Sequence, residues 1–269
     1  MEFLSSAFSH IGDTAQSGVL RRLHKADAGN VDALLHELLV FEVCRSFGFS
    51  PEFEPSVGGQ TPDLRLNVDS RSYLADVFVT TRPTRTFINF QGSQGYLDHG
   101  EAAKKIADTL ALKAAKYRAA RMPLLLFVVL VGHDIGLIDL ETALFGTTVG
   151  EMTQTGGLRD NCHHDWHIHG LFCPPGPEAR HRNITAVVSC DWFDSLARTG
   201  RRLHCVVYHH WRAEVDLRTG AFGQFPDVHF LGDASGRTLP AVVGTPNVVM
   251  STDPEDAMKC APYSASRPW

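Results

Sequence analysis

The sequence predicts an α/β fold, a central mixed β-sheet flanked by helices, with a β-rich C-terminal elaboration. Three observations predict it. A hairpin with apolar residues at period two runs from Thr61 to Thr80. A helix with a packed stripe runs from about Gly100 to Arg121, and an unbroken apolar strand runs from Leu124 to Val131. Alternation marks a half-buried strand, spacing of three to four marks a helix, and a continuous apolar run marks a strand covered on both faces. With a helix ahead of the hairpin, the order is helix, strand, hairpin, helix, buried strand, which packs as a sheet between helices.

The first helix is predicted from Val31 to Arg45, with Asn30 as its N-cap and Gly48 in the position after its C-cap. Leu34, Leu35, Leu38, Leu39, Phe41 and Val43 are dense enough to bury most of it. Glu37 lies inside that run, and a carboxylate on a buried helix needs a partner. Taken alone, it is as well explained as an edge carboxylate reaching water. Residues 1–29 read as a loose or short-helical lead-in without chemistry, and 49–55 as a short strand or extended link.

The hairpin arms are Asp63 to Val68 and Ser72 to Val79, joined by a turn at Asp69-Ser70. A two-residue loop pairs Val68 with Arg71, and the register then sets Asp63 opposite Asp76. Directly opposed residues have Cβ atoms roughly 5 Å apart. Two carboxylates at about 4 Å repel by roughly 4 kcal/mol at an effective dielectric near 20. A divalent cation between them reverses the sign, so the hairpin reads as half of a metal site.

The helix after the hairpin packs through Ala103, Ile106, Leu110, Ala114 and Tyr117. Lys113 and Tyr117 lie one turn apart on that side. Lys104, Lys105, Lys116, Arg118 and Arg121 give it most of the local positive charge, which alone is a solvated face. Residues 84–100 read as an excursion beside the site. Residues 134–150 read as a connector with one short helical turn, Ile184 to Ser189 and Leu203 to Tyr208 as strands, and the stretch from Pro246 as an irregular tail.

At 269 residues and a net charge of −5, the chain can bury a full core but carries no broad basic surface. Nucleic-acid contact must come from a local patch. No apolar run approaches the ~18 residues that cross a bilayer, and the N-terminus lacks a signal-peptide pattern. The six cysteines show no paired short spacing, which predicts reduced thiols and a cytoplasmic location without membrane contact.

Glu37, Pro62-Asp63, Asp76-Val77-Phe78 and Lys113 to Tyr117, taken in order, resemble the PD-(D/E)xK, restriction-endonuclease-like nucleases. Ala143 to Gly146, Gly170 to Phe172, Ile184 to Val187 and Val207 to Leu217 resemble an uncharacterised bacterial branch of that superfamily. The resemblance spans most of residues 31–230. It implies a restriction-endonuclease-like core and phosphodiester hydrolysis in DNA, with RNA as an alternative substrate. Asp63, Asp76 and Glu37 would hold Mg²⁺ or Mn²⁺, with the Val77 carbonyl assisting. The motif lysine two residues after the second acid is replaced by Phe78, and Lys113 is the candidate to supply its charge, with Lys116 second. Lys104, Lys105, Lys116 and Arg121 would track the nucleic-acid backbone. A second copy of the chain is a candidate partner, because nucleases that cut both strands often pair.

The implied organisation is a lead-in at 1–30, a domain at 31–245 (core 31–132, elaboration 133–245) and a tail at 246–269. Two other readings stay open. One is an inactive nucleic-acid-binding or interaction module that keeps the nuclease fold, favoured by Phe78. The other is a zinc-stabilised hydrolase built on the stretch from Cys162 to Cys173, which includes His163, His164, Asp165, His167 and His169. That stretch lacks the paired spacings of a zinc motif. His209-His210 reads as surface or hydrogen-bonded core.

Overall fold

The computed structural model describes residues 2–25, 27–80, 99–130, 137–145, 147–149, 163–165, 170–172, 180–193, 202–223, 225, 227–232 and 238–243. The tail from Pro246 and the excursion at 84–98 lie outside the described residues.

The chain begins with helices α1 (Glu2–His10), α2 (Asp13–Lys25) and α3 (Ala28–Ser46). Strand β1 (Ser50–Phe53) and the hairpin β2 (Leu64–Val68) and β3 (Arg71–Val79) follow. Helix α4 (His99–Tyr117) runs into a 3₁₀ turn at Arg118–Ala120 and then β4 (Leu124–Leu130). Next come α5 (Leu137–Phe145), β5 (Thr147–Val149) and β6 (His163–Asp165). The chain closes with β7 (Ile184–Phe193), β8 (Arg202–His209), β9 (Asp227–Gly232) and β10 (Thr238–Val243).

Among the described residues, one mixed sheet has the strand order β1-β2-β3-β4-β7-β8-β9-β10, and β5 pairs with β6 apart from it. The first three strands are antiparallel, and β3-β4 and β4-β7 are parallel. Helix α4 is the crossover that a parallel β3-β4 pair requires. The C-terminal strands extend this same sheet through β7, rather than forming a separate layer.

Two apolar cores lie against the sheet, and the alternation of β3 separates them. Tyr73, Ala75 and Val77 pack with Leu34, Leu38 and Phe41 of α3. Leu74 and the half-buried Phe78 pack with Ile106, Leu110, Ala114 and Tyr117 of α4. Strand β4 is buried along its whole length, as its unbroken apolar run predicts. Each fully buried Leu, Val or Phe is worth about 1.5–3 kcal/mol, so both helices are held mainly by these faces.

Several boundaries differ from the sequence reading. Helix α3 starts at Ala28, and its N-cap is Asp27, whose Oδ1 accepts from the Asn30 N–H at 2.9 Å. Asn30 is thus the capped residue, not the cap. Gly48 follows the C-cap at φ +79°, as predicted. Helix α4 stops at Tyr117, before Arg121, which is left-handed at φ 51°. The connector at 134–150 holds a nine-residue helix with Leu140, Ala143, Leu144 and Phe145 buried. The lead-in forms α1 and α2, and Ala7, Ile11 and Val19 enter the core beside α3.

The hairpin register matches the sequence reading. Val68 pairs with Arg71, and the loop residues Asp69 and Ser70 have φ 48° and 65°. Positive φ at both positions is the type I′ geometry that suits the twist of a two-residue hairpin.

Candidate acid-pair site

The described register of the hairpin reaches Leu64 opposite Ala75, and one further step brings Asp63 beside Asp76. Asp63 Oδ2 accepts the Val77 N–H at 2.6 Å, which locks the carboxylate across the strand end. Asp76 is 1 % exposed and faces α4, because it shares the strand parity of Leu74 and Phe78.

Helix α4 supplies the cations. The Lys113 ammonium is ion-paired with Asp76 Oδ1 and donates to the Val77 carbonyl at 3.1 Å. Lys116 Nζ stands 3.8 Å from Asp76 Oδ2 and donates to the Tyr117 hydroxyl at 2.5 Å. Gln60 Nε2 donates to the Lys116 carbonyl at 2.6 Å, tying the loop before Pro62 to the end of α4. Asp76 Oδ2 is buried, and no hydrogen-bond donor comes within bonding distance of it.

The two acids differ in charge. Burial comes first in pushing Asp63 up to about 9, followed by its hydrogen bond to Asp76 and by the charges of Asp76 and Glu37. Burial also raises Asp76. There, however, the hydrogen bond from Asp63 and the Lys113 ammonium outweigh it, and its affinity for a proton falls below the ordinary carboxylate range. Burial and the neighbouring carboxylate thus favour a proton on Asp63, while the Lys113 ammonium favours the charged form of Asp76. Burial and the two acids also keep the Tyr117 hydroxyl protonated.

Glu37 is not drawn into this pair. Arg22 of α2 grips both of its oxygens, Nη1 to Oε2 at 2.8 Å and Nη2 to Oε1 at 2.9 Å, and also pairs with Glu54. Glu37 is close enough for its charge to raise Asp63, yet α3 lies on the sheet face opposite α4. Among the described residues, no group of three or more His, Cys, Asp or Glu side chains is spaced to hold a metal ion. The three-acid set expected from the sequence is thus an acid pair plus a separately neutralised Glu37. Arg22 was missed because the lead-in showed no motif. The available signal was the basic run Arg21-Arg22-Leu23-His24-Lys25 just ahead of the buried acid.

The expected backbone-tracking cations do not share one face. Lys104, Lys105, Lys116 and Arg121 are all exposed. At roughly 100° per residue, Lys105 and Lys116 lie on the flank next to Lys113, whereas Lys104 points half a turn away from it. Cys162, His167, His169 and Cys173 lie outside the described residues. His163 to Asp165 form the backbone of β6, which pairs with β5. His209 pairs with Asp227 at 2.6 Å, and His210 faces the Arg180 carbonyl at 2.9 Å, so both are bonded core residues. Cys44, Cys190 and Cys205 are free thiols.

The acid pair offers two carboxylates, the oxygen donors that a divalent cation takes. Asp76 Oδ2 is a buried oxygen without a donor, and Asp63 carries a proton that a cation can replace. Hard cations of this kind take oxygen donors and need only one or two carboxylates, keeping water on their other positions. In comparisons with protein-family models, curated proteins and solved structures, no match was found. No helix among the described residues is long and apolar enough to cross a membrane.

Proposed function

We propose that the chain is a metal-dependent nuclease that hydrolyses phosphodiester bonds of DNA. The observation that carries this reading is the facing pair Asp63–Asp76, with the Lys113 ammonium against it and Asp76 Oδ2 buried without a hydrogen-bond partner. The architecture supports it, since a central mixed sheet with a helix on each side is what the family resemblance implies. So does the placement of Lys113, whose charge reaches the strand position next to Phe78.

Asp63 and Asp76 would hold Mg²⁺ or Mn²⁺, which when bound supplies an acidified water and neutralises phosphate charge. The protein's own residues do the rest. Asp63 gives up its proton as the site fills. Lys113 keeps a positive charge beside the acids, where charge builds on a phosphate during attack. Tyr117 and Gln60 brace the end of α4, so that Lys113 and Lys116 do not drift. Arg22 neutralises Glu37 and limits the negative charge that Asp63 must share.

A second reading, an inactive binding module that retains the fold, is favoured by one observation. The Lys113 ammonium already occupies Asp76 Oδ1 and the Val77 carbonyl, as a bound cation would. Incubating the protein with supercoiled, linear and single-stranded DNA in Mg²⁺, Mn²⁺ or EDTA separates the two. The nuclease reading expects metal-dependent cleavage that Asp76→Asn abolishes. Intact DNA in every condition, or equal cleavage by Asp76→Asn, would rule it out in favour of the second.

A further inference from the structure

Away from the acid pair, the chain gathers arginines at one end of the sheet. Arg118 and Arg121 lie between α4 and β4, Arg180 and Arg182 just before β7, and Arg212 just after β8. All are exposed. None of them forms an ion pair among the described residues, although the whole chain carries more acids than bases.

Their nearness follows from the register. Leu74, Leu124 and Ile184 pair side by side across β3, β4 and β7. The Leu124 N–H donates to the Asn183 carbonyl at 2.9 Å, and Asn183 Nδ2 donates to the Ala114 carbonyl of α4 at 2.9 Å. Arg182 Nε donates to the Arg212 carbonyl at 3.1 Å, and the Arg212 guanidinium lies 5.1 Å from the centre of the half-exposed Trp211 ring. After burial, the nearby charges of Arg118 and Arg180 are what hold His181 below its ordinary value. The exposed acids Glu214 and Asp216 flank the group, and neither is within ion-pairing distance of these arginines.

We infer that Arg118, Arg121, Arg180, Arg182 and Arg212 form a phosphate-tracking surface that carries a DNA strand past Lys116 to the acid pair. The inference rests on the nuclease reading and names its substrate-binding face, which differs from the lysine face of α4. Strands about 4.8 Å apart put Ile184 roughly 10 Å from Leu74, and Asp76 lies about 7 Å further along β3. That span covers about three to five nucleotide steps at roughly 3.4 Å each. Arg is suited to phosphate because its planar fork donates in pairs. Guanidiniums without a carboxylate partner in an acidic protein form the local patch that nucleic-acid binding requires.

The test is fluorescence anisotropy of a labelled DNA duplex without divalent metal, so that nothing is cut. The variant is Arg118→Ala/Arg180→Ala/Arg212→Ala, whose side chains make no hydrogen bond to the protein. Circular dichroism and thermal melting check that it folds. We expect wild-type binding that weakens with salt. In the triple variant we expect at least a tenfold loss of affinity, with a salt slope smaller by roughly 0.9 per arginine removed. An Arg45→Ala control, which removes a cation paired with Glu42 elsewhere, should bind as wild type does. A folded triple variant that binds with unchanged affinity and slope overturns the inference, as does a wild type that binds no DNA at low salt. The nuclease reading fails separately. A protein that binds DNA through these arginines but cuts nothing keeps the surface and loses the chemistry, whereas cleavage with an unaffected triple variant does the reverse.

Discussion

Asp63 is the residue on which the account turns, because it is a buried carboxyl that keeps its proton near neutral pH. A folded-state value raised to about 9 means that the native protein binds this proton more tightly than the unfolded chain does. The stability it contributes is full below the ordinary carboxylate value and is lost as pH rises through about 9. Asp63→Asn keeps the shape and removes the titration. Without metal, the melting temperature of wild type minus that of Asp63→Asn should therefore fall steadily from pH 5 to pH 9, and a difference independent of pH would contradict the shared proton. Much of this was legible in advance. The two-residue turn at Asp69-Ser70 fixes the parity of both strands, and parity sets Asp63 against Asp76. The proton distribution was not legible, since it depends on Lys113 reaching Asp76 and on how deeply both acids are buried.

At the scale of elements, α4 and the N-terminal helices divide the cations between them. Lys113 projects from the packed stripe of α4, while Lys116 sits at its edge, 3.8 Å from Asp76. Under the proposed nuclease activity, Lys113→Ala should lower the cleavage rate by about 10²–10³-fold, the usual cost of losing one donor where charge develops. Lys116→Ala should act chiefly on substrate affinity. Measured kcat and KM for the two variants decide between them, and the reverse pattern would transfer the role to Lys116. On the other side of the sheet, Arg22 holds Glu37 with two hydrogen bonds, and the Glu37 side chain is only 10 % exposed. Arg22→Ala leaves that carboxylate unpaired and should cost about 2 kcal/mol in urea unfolding. A loss below a few tenths would mean that α2 is only loosely docked. The sequence showed the dense apolar face of α3 and the acid within it, but not the arginine that meets it. That contact joins two elements with no shared periodicity, and only tertiary packing brings them together. The N-cap was missed for a local reason. Asp27 and Asn30 are both good caps, and Asp27 caps the Asn30 N–H from one turn earlier.

For the molecule as a whole, the sheet was readable wherever hydrophobic period was strong. The hairpin, α4 and the unbroken apolar β4 emerge close to their expected limits, and their order forces a parallel β3-β4 pair around a crossover helix. The C-terminal half was harder. Its strands add to the same sheet through β7, yet β7 exchanges neighbours with both a parallel and an antiparallel partner, and residue patterns do not encode that choice. The arginine surface was unreadable for a related reason, since its members come from three connections distant in the chain that meet only when β4, β7 and β8 align. What the fold achieves is the delivery of a hairpin acid pair and a helix lysine to one buried point, leaving one carboxylate oxygen without a donor. The central proposal is that a divalent cation takes the place of the proton between Asp63 and Asp76. Calorimetric titration of Mn²⁺ into the metal-free protein at pH 7.5, in two buffers of different ionisation enthalpy, tests it most directly. The account predicts one ion bound per chain with release of close to one proton, and no binding by Asp63→Asn or Asp76→Asn. Wild-type protein that takes up no Mn²⁺, or variants that bind it as tightly as wild type, would contradict it.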